Sequence, residues 1–294
     1  FKNSLIKNPN YNVSDICNEY NIGKKCSACL PNVEEYYLKI RGDSKSDFKA
    51  LTKNTSKSVK KRILTVLDFL SGNTTIVQKG FIPIINANFV KTWLMLSNFY
   101  PLNLANKSVP YQIHIDLYDS SGNKVNTLIK KVLPGTNFKL CFQDLIKTSG
   151  NKIETYFAKV IRKGIKKGFR GSIRPHFYYQ SKHSMAAVHS QDGNAKKVLL
   201  DFYSSRNNDN YFLFIINPNK KEAFFYLDLF FIKKKSRDKV FESSVNGMGS
   251  KLIKINDYFK DVQEGLVQCK SNINLKHYLV ISDKKYEKFS ADHL

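Results

Sequence analysis

Apolar and polar residues alternate along 111–118, where Ile113, Ile115 and Leu117 are separated by Gln112, His114 and Asp116. A period of two places one set on each face of a strand. The pattern predicts a half-buried antiparallel strand. Asp119, Ser120, Ser121 and Gly122 then predict a hairpin turn into a second strand over 124–129. The same grammar recurs from about residue 76 onward. Short β-branched and aromatic runs are separated by turn clusters at 86–88, 120–123, 134–135, 217–219 and 246–249. Helix-length segments between strands are scarce, which argues against a parallel α/β sheet. Two segments depart from the pattern. Residues 57–70 space Val59, Ile63, Val66, Leu67 and Leu70 on one helical face, with Ser56 as N-cap. Residues 151–167 space Ile153, Tyr156, Phe157, Val160, Ile161 and Ile165 likewise, with Lys and Arg opposite, and predict a helix.

The order of these signals repeats. Residues 93–98 and 111–118 match 212–217 and 225–230, and 138–147 match 251–260. The match aligns Asn98 with Asn217, Asp116 with Asp228 and Asp144 with Asp257. Each unit closes on an apolar strand carrying a histidine, which aligns His176 with His277. A repeat of about 100 residues is too long for a solenoid unit and suits two copies of one small domain. The expected fold is therefore mainly β, with two tandem antiparallel β-sandwich domains from an internal duplication. Their general architecture resembles immunoglobulin-like sandwiches. A mixed α/irregular N-terminal segment occupies 1–75, the first sandwich 76–182 and the second 183–294. The helix at 151–167 is expected as an insertion in the first sandwich, presenting its basic face to an acidic partner.

Composition narrows the function classes. Hydrophobic residues at 42% and aromatics at 13% of 294 residues supply enough core to exclude general disorder. No apolar run reaches the 18 or so residues that a transmembrane helix needs. The net charge of +24 points to an anionic partner. Lysine supplies all but seven of the 48 basic residues. Arginine is the usual tool for bidentate phosphate and base contacts, so nucleic acid is disfavoured. An acidic polysaccharide or an acidic protein surface fits better. The chain opens on Phe1 rather than Met, as expected of a fragment or processed form, so the compartment stays open.

The densest chemistry lies in 171–192, which holds three of the six histidines. Arg174, His176, Tyr178, His183, His189 and Asp192 form the candidate ligand-binding set. Neutral imidazoles bind metals or move protons near neutral pH. Two antiparallel strands joined at 180–183 would bring His176 and His189 together, and Arg174 would hold an anionic group. The spacing is not a zinc signature, and no Cys or Glu in the segment completes a ligand set. Cys17, Cys26 and Cys29 are weaker metal candidates, since three local thiols fall short of a tetrahedral site. Cys141 and Cys269 sit in apolar runs and are expected as free buried thiols. Dinucleotide, Walker and nucleophile-elbow motifs are absent. These features favour a non-enzymatic binding or structural module with no assigned catalytic residue. The alternative is a metal-dependent or acid–base enzyme at the His176/His183/His189 cluster, with a metal ion there or at the cysteines.

Overall fold

The computed structural model describes residues 8–11, 13–20, 37, 40, 77–98, 110–133, 136–146, 150, 152–164, 175–190, 196–204, 209–231, 236–259 and 264–293. Within them the chain is mainly β, a sandwich-like arrangement of antiparallel sheets preceded by a short helix, α1 (Val13–Glu19). The expected helix at 57–70 lies outside the described residues.

The first sheet has the order β1 (Val77–Asn86), β6 (Glu154–Gly164), β3 (Tyr111–Asp119), β4 (Lys124–Val132). The second has the order β5 (Asn137–Cys141), β2 (Lys91–Ser97), β7 (His176–Gln180), β8 (Met185–His189). The remaining strands assemble around the long β14 (Glu264–Ser282). Its first half pairs with β11 (Ala223–Phe231) and β9 (Lys196–Ser204). Its second half pairs with β10 (Asn210–Ile216) and β15 (Phe289–His293). β12 (Ser236–Val245) flanks β11, and β13 (Ser250–Lys254) flanks β10. The β7–β8 hairpin spans the expected division at 182/183.

The alternation of β3 becomes burial as expected: Ile113, Ile115 and Leu117 are core, and the turn after Asp119 leads into β4 at Lys124. The Asp119 carboxylate shapes that turn by accepting the backbone N–H groups of Ser121 and Asn123, each at 2.9 Å. Two apolar clusters result. One holds Ile82, Leu94, Ile115, Val160 and Phe177; the other holds Leu213, Ile215, Phe225, Leu227 and Val267. β10 serves both, because Phe212, Phe214 and Ile216 join the first cluster while Leu213 and Ile215 join the second. A strand covered on both faces has no polar alternation, as the sequence of β10 reads. Tyr278 of β14 adds a polar tie by donating its hydroxyl to the Phe81 carbonyl at 2.6 Å.

Where a helix is expected at 151–167, residues Glu154–Gly164 form a strand instead. β6 lies between β1 and β3 and pairs with both along its length. Its apolar groups suit helical spacing only because both faces are lined. Ala158 and Val160 are buried at alternate positions, and Phe157 is buried on the opposite face against Tyr118, rings 5.0 Å apart. Thr155, Tyr156, Phe157, Val160 and Ile161 are residue types that favour a pleated surface. Among the described residues of this segment no helix presents a basic face to an acidic partner.

Asp116 illustrates how a polar-face residue is held. It accepts the Thr127 hydroxyl at 2.8 Å and lies 3.2 Å from His114 and 3.4 Å from Lys124. Burial works to raise its pKa, but the Thr127 bond and the two basic neighbours outweigh it and hold the carboxyl below its ordinary 3.8. The folded-state value lies below the unfolded one, so the contribution is full above about pH 5 and is lost as pH falls through the folded value. Asp116→Asn is expected to lower stability at pH 7 and to flatten the loss between pH 5 and 3, measured by urea melts across pH.

Candidate ligand-binding face

Cross-strand partners share a sheet face, so the ladders of the second sheet give a map of its outer side. In one row Cys141, Trp93, Tyr178 and Ala187 lie side by side across β5, β2, β7 and β8. The next row has Lys139, Met95 and His176, and a third has Lys91, Gln180 and Met185. The opposite parity (Thr92, Leu94, Leu96, Phe177 and Tyr179) is buried. Tyr179 anchors it by donating its hydroxyl to the Pro83 carbonyl at 2.9 Å.

The centre of the outer face is aromatic. The Trp93 and Tyr178 rings are 6.0 Å apart and within 10° of parallel. The Trp93 indole donates to Gln180 Oε1 at 2.9 Å, which fixes the tilt of the ring. Both rings are half-buried, Lys91 and Lys139 are exposed, and Met185 is 65% exposed. Burial pushes the Tyr178 hydroxyl above its ordinary pKa, and neighbouring Cys141 adds to the shift. The Cys141 thiol is raised too, first by burial, so it stays protonated at neutral pH. Cys141 and Cys269 are both free and buried, as expected, and burial pushes Cys269 up to about 12.

His176 and His189 are direct cross-strand partners. His183 is not with them. It sits in the β7–β8 turn, where its N–H donates to the Glu287 carbonyl at 3.0 Å and its ring lies 3.8 Å from the Glu287 carboxylate. Lys182 meets the same carboxylate at 3.0 Å, so this turn fastens β8 to the β14–β15 turn. Arg174 and Asp192 lie outside the described residues, as do Cys26 and Cys29. Cys17 is buried in α1. Among the described residues no group of three or more His, Cys, Asp or Glu side chains is placed to hold a metal ion.

The expected pairing of His176 with His277 does not hold in register. His176 faces Met95, whereas His277 faces Ile215 and its neighbour Tyr278 faces Phe214. With residues 93–98 aligned on 212–217, the position of His176 falls to Tyr278. A one-residue slip moves a side chain to the other face of its sheet.

Sequence reasoning found Tyr178 and His176 but missed Trp93, Met95, Lys91 and Lys139. The signal was available. Along 91–96, Lys91, Trp93 and Met95 alternate with Thr92, Leu94 and Leu96, and Trp93 is the only tryptophan in the chain. Comparison with protein-family models, curated proteins and solved structures finds no match to this chain. Among the described residues no helix is long and apolar enough to cross a membrane.

Proposed function

We propose that the chain is a non-enzymatic binding module of two tandem immunoglobulin-like β-sandwiches, derived by internal duplication, that holds an acidic polysaccharide on the outer face of the β5-β2-β7-β8 sheet. The observation that carries the binding reading is the near-parallel Trp93–Tyr178 pair with exposed Lys91 and Lys139 on the same face. Flat aromatic rings accept the apolar face of a pyranose, and ammonium groups beside them pair with carboxylate or sulfate substituents. The surplus of 24 positive charges would draw such a polymer in at low salt.

The tandem reading is supported by strand pairing. In 77–189 the pairs are β1–β6, β6–β3, β3–β4, β5–β2, β2–β7 and β7–β8. In 196–293 they are β9–β14, β14–β11, β11–β12, β13–β10, β10–β14 and β14–β15, the same order with one strand serving twice. Trp93 faces Cys141 as Phe212 faces Lys254, and a single 3-10 turn follows each pair, at Phe142–Asp144 and Ile255–Asp257. Asn98 donates its side chain to the Val132 carbonyl at the end of β4, and Asn217 donates to the Val245 carbonyl at the end of β12.

Binding to a panel of uronic-acid and sulfated polysaccharides, followed by calorimetry or affinity electrophoresis, tests the proposal. Trp93→Ala is expected to weaken binding about tenfold, from loss of roughly 1.4 kcal/mol of stacking and apolar contact. Lys91→Ala with Lys139→Ala is expected to flatten the salt dependence. Binding to an acidic protein instead, indifferent to Trp93, would replace the polysaccharide as partner. The enzyme alternative rests on the His176–His189 register, and predicts bound metal that is lost with either histidine.

A further inference from the structure

We propose that the cleft between the start of β6 and the β12–β13 turn is a second ligand site, and that it takes an uncharged, hydroxyl-rich ligand the size of one or two sugar rings. This inference does not rest on the outer-face reading, because the cleft shares no residue with that face. The cleft has a volume of about 680 Å³, with Glu154 and Tyr156 on one wall and Ser250 and Lys251 on the other. That size falls within the usual range of small-ligand pockets, which gather where structural units meet.

The wall on the β13 side contains an unmatched group. Ser250 is 4% exposed, and its hydroxyl has no hydrogen-bond partner among the described residues. Buried hydroxyls are almost always bonded, so this one points to a partner from outside the chain. Opposite it, the Glu154 carboxylate is held in place. Its Oε2 accepts the Asn86 amide at 3.3 Å and the Tyr156 hydroxyl at 3.4 Å, and Asn86 is completely buried. Both bonds fall on one oxygen, which leaves Oε1 to accept from a ligand. Lys251 is also positioned: its ammonium donates to the Ser243 hydroxyl and to the Ser244 carbonyl, and carries a third hydrogen.

The charge pattern selects the ligand class. Glu154 opposes an anion, and Lys251 with Lys152 opposes a cation. Asp119 borders the cleft, but its carboxylate is committed to the Ser121 and Asn123 amides. What remains is one oriented acceptor, one oriented ammonium, a free hydroxyl and a half-buried tyrosine ring. Vicinal hydroxyls on a sugar supply donors and acceptors together, and so satisfy a carboxylate and an ammonium at once. Burial, then Glu154, raises the Tyr156 pKa, so its hydroxyl remains a donor at neutral pH.

The test uses the full chain titrated with glucose, galactose, mannose, N-acetylglucosamine and their β-linked disaccharides, read by amide chemical shifts and calorimetry. Shifts centred on Ser250 and Glu154 with millimolar or tighter affinity are expected. Ser250→Ala should raise the melting temperature of the free protein, because it removes an unmatched buried hydroxyl, while weakening sugar binding at least fivefold. Glu154→Gln should weaken binding by a similar factor, and Lys130→Ala, at an exposed position outside both sites, should leave it unchanged. Absence of binding, binding confined to charged sugars, or equal binding by Ser250→Ala would overturn the proposal.

Discussion

Gly247→Ala is expected to destabilise the fold by about 3 kcal/mol and to lower the melting temperature by roughly 6–10 °C. A Cβ on Gly247 would lie 2.0 Å from the Lys220 carbonyl oxygen and 2.4 Å from its carbon. Both are backbone atoms, so no side chain can rotate away and the chain itself must move. The movement would propagate. Gly247 lies in the turn that meets the β3–β4 turn, where Ser250 N–H donates to the Ser120 carbonyl at 3.2 Å and the Asn246 amide to the Ser121 carbonyl at 3.3 Å. A Cβ on Gly249 would approach the Ser120 carbonyl to 2.6 Å, so the two turns touch through backbone on both sides. Gly150→Ala is the control. It has a φ of 70° but nothing within 4 Å of a Cβ, so only the left-handed backbone penalty of about 1 kcal/mol applies. Thermal melts of the two variants separate contact from conformation; equal losses would remove the contact argument.

How much of this was legible follows from what each residue faces. The β3–β4 hairpin could be read because β3 has one dry face and one wet face, so Ile113, Ile115 and Leu117 alternate with polar groups. β6 could not, because it is central and lined on both faces, and Phe157 and Ile161 on one side with Val160 on the other imitate a helical stripe. β10 shows the same effect from the opposite direction. Its unbroken apolar run announced burial on both faces, but not that one face serves the core of a different pair of sheets.

The candidate sites divide along the same line. Tyr178 and His176 sit in a histidine-rich segment and drew notice by composition, and the antiparallel approach of His176 to His189 followed from the short turn between them. Trp93 lies far away in sequence and reaches Tyr178 only through the β2–β7 ladder. The cleft was invisible. Glu154 and Ser250 are unremarkable in their own segments, and what makes them a site is the docking of two turns through glycine backbone. His176 and His277 mislead for a related reason. Their residue type matches, while their pairing register, which fixes the face, differs by one position.

Asn217→Ala is expected to destabilise the protein by about 3–4 kcal/mol in urea melts at pH 7, and Asn98→Ala to destabilise it as well. Both side chains are buried and each donates to the last carbonyl of a strand, Val245 at 3.2 Å and Val132 at 3.1 Å. Their backbone N–H groups are matched as well, bonding the Gly249 carbonyl at 3.0 Å and the Thr136 carbonyl at 2.9 Å. Asn217 carries more than that tie. Its amide also reaches the Lys221 carbonyl at 2.8 Å and the Asn246 carbonyl at 3.1 Å, so two hydrogens are shared among three acceptors. Its side-chain oxygen accepts both the backbone and the amide N–H of Asn219, each at 3.0 Å. Alanine would strand several of these groups out of reach of water, and each buried unsatisfied group is worth about 1–3 kcal/mol. Asn217→Asp separates the roles, because a carboxylate can still accept from Asn219 but cannot donate to the three carbonyls. It should lose at least as much as alanine. A variant in which aspartate rescued stability would show that the turn at 217–219, and not the tie to β12, is what Asn217 holds.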